Sequence, residues 1–197
     1  MNRVTGNLAR GDLSAVSGII VHQTVSDTAA QTLQQYNGTD SNGAHFLIAK
    51  DGTIYQTASL YKMTYHVGRL RSKCVAEGQC EPTSTRTTSD EEIAYIRGLG
   101  PRDRHALERT KPAGQRYPSN TDAIGIELVG NTIGPDPAHP GELLFETVTA
   151  AQNRSLTWLV DQITIQFGLD MNVIYRHPTV SQKTPSEAST ANWQVRS

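Results

Sequence analysis

His22, Glu127 and His177 are the residues of this chain best suited to chemistry. Each closes or follows a short apolar run, in the segments GIIVHQT, AIGIELVG and NVIYRHP. Imidazole is the commonest protein ligand for zinc, and a carboxylate beside such an ion can take a proton from water. Polar groups so far apart in sequence, each delivered by its own β-rich run, meet when those runs line the rim of one sheet. The residue types therefore read as a zinc hydrolase. A carboxylate set between IGI and LVG also calls for a nearby cation, because burying it unpaired costs several kcal/mol. Of the other histidines, His45 reads as a structural residue on a strand, while His105 and His139 fall in irregular segments and read as solvent-exposed.

The elements that must position these groups are legible in part. Gly18–His22 is a short buried strand by its β-branched run. TAAQTLQQY permits a helix, with Asp27 as N-cap and Asn37-Gly38 closing it. HFLIAKDGTIYQ predicts antiparallel strands near 45–49 and 53–57 around Asp51-Gly52, a strong hairpin cue. AIGIELVG predicts a strand, and NTIGPDPAHPGE reads as a turn-rich loop. TAAQNRSLTWLVDQITIQFG is the best helix: Thr149 and Gln152 match a capping box, Leu156, Leu159, Val160, Ile163 and Phe167 share one face, and Gly168 supplies the stop. Val173–Tyr175 gives a last strand running into His177. The mixture predicts one α/β (α+β) domain over 1–197 with a central mixed sheet flanked by helices.

Residues 69–121 read differently. Gly, Pro, Ser, Thr and charged residues dominate, with short helices expected near Asp90–Arg97 and Arg102–Arg109, so the segment is read as a loop-rich insertion too poor in apolar residues for a core. Arg69–Arg116 holds ten Lys/Arg against seven Asp/Glu, a modest basic excess in a chain of net charge −1. No global field draws nucleic acid or an anionic membrane. No apolar run approaches the roughly 20 residues of a membrane span, and the N-terminus lacks the apolar core of a secretory signal. Cys74 and Cys80, in CVAEGQC, are too far apart for a CxxC redox motif and read as a local disulfide, with free thiols as the alternative. A disulfide without a signal points to an oxidising destination reached by a dedicated machine or by lysis.

Five segments in order, IIVHQT, GAHFLIAKDGTIYQ, TYHVG, DAIGIELVGN and HPTVSQK, resemble the zinc-dependent N-acetylmuramoyl-L-alanine amidases of the amidase-2 and peptidoglycan recognition protein family. The resemblance covers about 18–68 and 122–187 and leaves the insertion unmatched. It implies that fold, a peptidoglycan or muropeptide substrate, and cleavage between the lactyl group of N-acetylmuramic acid and L-alanine. It lands the zinc ligands on His22 and His177, the general base on Glu127, the oxyanion-stabilising lysine on Lys183, and a substrate-groove histidine on His66. Two positions depart from the family. The third ligand normally stands two residues after the lysine, where this chain has Pro185, which cannot bind a metal. Glu187 is the candidate in its place. Thr184 and Ser186 are poor zinc ligands, and His45 or His66 are the substitutes. Ala44 stands where phage members carry a tyrosine, a residue on which the branch using Glu127 does not depend. The competing readings are a peptidoglycan-binding module that has lost activity and a zinc peptidase of another type. The setting implied is the periplasm or cell wall of a target bacterium, as an antibacterial effector with a cognate immunity protein or as a phage endolysin.

Overall fold

The computed structural model describes residues 1–4, 7–13 and 15–194. Its elements in order begin with β1 (Asn2–Arg3), β2 (Gly18–Gln23), α1 (Ala29–Tyr36), β3 (Phe46–Ile48) and β4 (Ile54–Gln56). Three helices follow, α2 (Lys73–Glu77), α3 (Ser89–Gly98) and α4 (Pro101–Thr110), then β5 (Ala123–Leu128), β6 (Thr132–Pro135) and β7 (Leu143–Phe145). The chain ends with α5 (Ala150–Phe167), a 3₁₀ turn at Met171–Val173, β8 (Ile174–Arg176) and α6 (His177–Val180). The main sheet runs β1-β4-β3-β5-β2-β8, antiparallel between β3 and β4 and parallel elsewhere, which is the mixed sheet expected. No helix among the described residues is long and apolar enough to cross a membrane.

Strand alternation gives the sheet two different faces. Ile19 and Val21 of β2, with Ile124, Ile126 and Leu128 of β5 and Phe46 and Ile48 of β3, pack in the main core against Leu156, Leu159, Val160 and Ile163 of α5. Each such side chain contributes about 1.5–3 kcal/mol on burial. The start of α5 is pinned as well as packed. Thr149 and Gln152 form the capping box, the Gln152 amide donates to the Ile48 and Val129 carbonyls, and the Thr149 hydroxyl donates to Lys50 O at 2.7 Å. Gly52 closes the β3–β4 turn at φ +88, and a Cβ there would stand 2.9 Å from Ala151 O. On the opposite face Ile20 and Ala123 meet Val67, Leu70, Tyr117 and Val180, which come from loops and α6. That face is left open enough to hold a cavity.

Four local expectations need correction. The N-cap of α1 is Thr28, not Asp27, because Gln31 lies three residues on and completes a capping box with it. NTIGPDPAHPGE is no simple loop but the β6–β7 hairpin, closed by Asp136 N–H donating to Glu142 O. Residues 69–121 carry a small apolar cluster, Cys80, Ile93 and Ile96 with Cys74, Val75 and Leu107, and the structure joins Cys74 to Cys80 as a disulfide. His105 is not free in solvent: in α4 its Nδ1 accepts the Leu70 N–H at 3.0 Å.

Asp122 ties the entry of β5 to the segment leading into β2. Its carboxylate accepts from Ser17 Oγ (2.6 Å), the Ser119 amide (2.9 Å) and Arg116 (3.0 Å). Burial pushes the carboxyl up, but those bonds outweigh it and hold the pKa below the ordinary value. A depressed carboxylate stabilises the fold above its unfolded pKa of about 3.9 and loses that contribution as pH falls through the folded value. Asp122→Asn is therefore expected to cost about 3 kcal/mol at pH 7. Denaturant unfolding should show the gap between parent and variant narrowing below about pH 4; a gap independent of pH would contradict this account.

Candidate metal and catalytic site

Strand register brings the site together. β2 lies between β5 and β8, both parallel to it, so the carboxyl ends of the three strands share one rim. His22 pairs with Glu127 across β2 and β5, which turns both side chains to the same face. Val21 pairs with Arg176, so the next residue on each chain is His22 on one and His177 on the other. The two imidazoles lie 4.2 Å apart by ring centroid and are 2% and 3% exposed. Ligand crevices of open α/β sheets form at such a rim.

Glu187 joins them from the segment after α6. Its Oε1 lies 2.9 Å from His177 Nδ1 and 3.7 Å from His22 Nδ1. The arch that carries it is held on both sides. Glu187 N–H donates to Thr184 O, Ala188 N–H donates to Gln23 Oε1, and Arg176 donates to Ala188 O at 2.9 Å. Ala188 itself has φ +52, a left-handed conformation that costs a residue with a Cβ about 1–2 kcal/mol. The neighbouring bonds enforce that strain next to a buried carboxylate. Pro185 and Lys183 are exposed, and the Ser186 hydroxyl donates to Leu143 O, away from the cluster.

The electrostatics suit a divalent ion. Burial first, then the His177 ring, lowers the His22 pKa to about 4 against the pull of Glu187. Burial raises Glu187, but its hydrogen bond to His177 Nδ1 and the neighbouring His22 ring outweigh it and bring it to about 2. At neutral pH a neutral imidazole therefore faces an ionised carboxylate. One ligand atom from each of His22, His177 and Glu187 falls within 4.8 Å of the others. His177 Nε2 is buried without a hydrogen-bond partner among the described residues. Two nitrogens and one oxygen in a buried cluster fit zinc by ligand type and by number, leaving a fourth tetrahedral position.

A cavity of about 500 Å³ opens on the cluster and is lined also by Glu127, Lys183, His66 and Tyr36. Burial and the charge of Glu187 raise the Glu127 pKa to about 8, against Lys183. Lys183 is the cationic side chain that acts on Glu127. His66 lines the cavity, yet its nitrogens face protein: Nδ1 is 2.9 Å from His22 Nε2 and Nε2 is 3.4 Å from Ala123 O. His45 is engaged elsewhere. Its Nδ1 accepts the Gly125 N–H and its Nε2 donates to Lys62 O, and burial lowers its pKa to about 4 despite that carbonyl. A larger groove of about 770 Å³ lies between β4 and α5, but no imidazole or carboxylate lines it.

Tyr36 escaped the sequence analysis. It ends α1, its ring packs where a Cβ on Gly43 would stand, and its hydroxyl is buried without a partner among the described residues. Burial and the Glu127 charge raise its pKa well above the ordinary value; the Ala44 amide opposes this without reaching hydrogen-bond geometry. Nothing in TAAQTLQQY marks this tyrosine, because its place depends on how α1 crosses the sheet.

A family profile described as N-acetylmuramoyl-L-alanine amidase (Amidase_2) matches residues 12–190. Among solved structures, N-acetylmuramoyl-L-alanine amidase LysC from Clostridium intestinale URNW is 18% identical with a TM-score of 0.50, over 93% of this chain and 87% of that one. A selenomethionine derivative of AmpD is 16% identical with a TM-score of 0.53, over 94% and 88%. AmpDh3 from Pseudomonas aeruginosa, in complex with anhydromuramic pentapeptide, is 18% identical with a TM-score of 0.51, over 85% of this chain and 53% of that one. These structural likenesses show the fold. A sequence comparison with curated proteins gives no match.

If the Tyr36 hydroxyl serves the cavity and not the fold, removing it should not weaken the protein, since an unpartnered buried hydroxyl costs about 1–3 kcal/mol. Tyr36→Phe is expected to be as stable as the parent or up to about 1 kcal/mol more stable by denaturant unfolding. A clear loss of stability would show that the hydroxyl is bonded within the fold.

Proposed function

Because the chain belongs to the N-acetylmuramoyl-L-alanine amidase family, we propose that it is a zinc-dependent enzyme that hydrolyses the amide between the lactyl carbonyl of N-acetylmuramic acid and L-alanine. One observation carries the reading: His22, His177 and Glu187 converge within 4.8 Å in the cavity that also holds Glu127 and Lys183. Zinc held there supplies a Lewis acid and lowers the pKa of water towards about 7. Glu127 takes the proton of the attacking water and passes it to the departing L-alanine nitrogen; a bound cation beside it would draw its raised pKa back towards the ionised form that a base requires. Lys183 donates to the carbonyl oxygen as its negative charge develops. The bound anhydromuramic pentapeptide of the AmpDh3 structure supports a muropeptide as the class of substrate.

The site of action we assign is the periplasm or cell wall of a target bacterium, with the protein acting as an antibacterial effector or lytic enzyme. The Cys74–Cys80 disulfide supports an oxidising compartment. An effector would travel with a cognate immunity protein; co-expression with the product of the neighbouring gene should yield a stable complex, and failure to form one counts against that role.

Purified protein is expected to bind one zinc per chain and to release peptides with free amino-terminal L-alanine from isolated sacculi. His22→Ala and His177→Ala should abolish both, and full metal content in either variant would remove that residue from the site. Glu127→Gln should keep zinc and lose turnover by about 10²–10⁴-fold. Glu187→Ala should weaken zinc binding by at least about 100-fold; unchanged affinity would leave the third ligand to be found elsewhere.

A further inference from the structure

We infer that His66 is a positioning residue: through its hydrogen bond to His22 it fixes the tautomer in which His22 turns a bare Nδ1 towards Glu187 and His177. This rests on the zinc-amidase reading and deepens it.

The chain of bonds sets each proton in turn. Ala123 O can only accept, so the His66 nitrogen 3.4 Å from it, Nε2, carries the hydrogen. A neutral imidazole protonated at Nε2 has a lone pair at Nδ1. That atom faces His22 Nε2 at 2.9 Å, so His22 Nε2–H donates to it. His22 is left with its lone pair at Nδ1, 3.7 Å from Glu187 Oε1. A lone pair facing a carboxylate oxygen across that gap is repulsive unless a cation lies between them. The backbone carbonyl of β5 thus dictates, through two rings, which His22 nitrogen is offered to a metal.

The ring of His66 is placed on purpose-built ground. Asn120 Oδ1 accepts from the amides of His66 (3.0 Å) and Val67 (2.7 Å), and its Nδ2 donates to Val67 O at 3.0 Å. Beneath the ring lies Gly125, in the middle of buried β5, where a Cβ would stand 2.7 Å from His66 Nδ1. Glycine in a strand interior is unfavourable by about 0.5–1 kcal/mol relative to alanine, and its presence marks a close approach. Here the approaching group is the His66 imidazole.

Outer partners of metal-binding histidines typically change metal affinity by about 10–100-fold. The test is zinc affinity, measured by competition with a chromophoric chelator, together with the His22 tautomer read from ¹⁵N–¹H spectra of the zinc-free protein. The parent should show His22 protonated at Nε2. His66→Ala should keep the melting temperature of the parent, mix the His22 tautomers and weaken zinc binding about 10–100-fold. His66→Asn, whose Oδ1 replaces the Nδ1 acceptor, should recover most of that loss. Gly125→Ala, which displaces the ring without removing it, should weaken zinc binding like His66→Ala. An unaltered tautomer and an affinity within twofold of the parent in His66→Ala would overturn the inference. A parent chain that binds no zinc would overturn the amidase reading instead, and the tautomer arm would still decide the role of His66.

Discussion

The parallel pairing of β5, β2 and β8 is the constraint on which the site depends. In a parallel set every strand ends on the same side, so register decides which residues meet at the rim. His22 faces Glu127, and His177 follows the partner of Val21. A slip of one residue between β2 and β5 would send one of these side chains into the α5 core and bring an apolar residue to the rim. The register is in turn fixed by the other face, where Ile19, Val21, Ile124, Ile126 and Leu128 must all reach the core. The hydrophobic effect on one side of the sheet thereby sets atomic distances on the other.

The rim itself is expensive to maintain. It holds an ionised Glu187, a Glu127 raised towards its neutral form, an alanine at φ +52 and a tyrosine hydroxyl without a partner among the described residues. Each is unfavourable for folding by itself. They persist because the backbone around them is over-determined: Gln23, Arg176 and Thr184 clamp the Glu187 arch, and Asn120 clamps His66 and Val67. Stability drawn from the α5 face is what holds these groups in place. Concentrated strain and unpaired polarity of this kind are characteristic of a site built for a ligand and not for the fold alone.

What the sequence disclosed follows the range over which each signal acts. The Asp51-Gly52 turn and the Thr149–Gln152 capping box are local arrangements, and both form as read. His22, Glu127 and His177 are legible because a polar residue at the end of an apolar strand adds nothing to the packing of that strand. Glu187 is a candidate only through the family resemblance, whose usual ligand position Pro185 occupies, and His45 and His66 stand beside it as substitutes. The β6–β7 hairpin is obscured by Pro135, Pro137 and Pro140, which mark turns more strongly than Ile133 or Leu144 mark strands. Tyr36 and the contact of His66 with Gly125 are out of reach, since no spacing reveals which ring will rest on which glycine after the chain crosses the sheet.

The segment 69–121 covers the site face beside the cavity and lines none of the cavity itself. A helix as long as α5 laid over this face would bury His22 and Glu127 from any large substrate. The covering comes instead from short pieces fastened at their edges. Arg71 N–H donates to Val180 O at 2.7 Å, the Ser181 hydroxyl donates to Arg69 O at 2.9 Å, and His105 accepts from Leu70. At the far end Tyr117 stacks edge-on against Tyr175, with ring centroids 5.2 Å apart, and Asp122 anchors the return into β5. The Val180 and Ser181 bonds and the Tyr117–Tyr175 contact grip α6 and β8, the two elements that present His177. The segment has little apolar mass of its own, and closing Cys74 to Cys80, six residues apart, contributes about 2 kcal/mol by restricting the unfolded chain. Edge fastening plus one covalent closure holds this cover beside the cavity, whose own lining comes from the strand ends, α1 and residues 65–68.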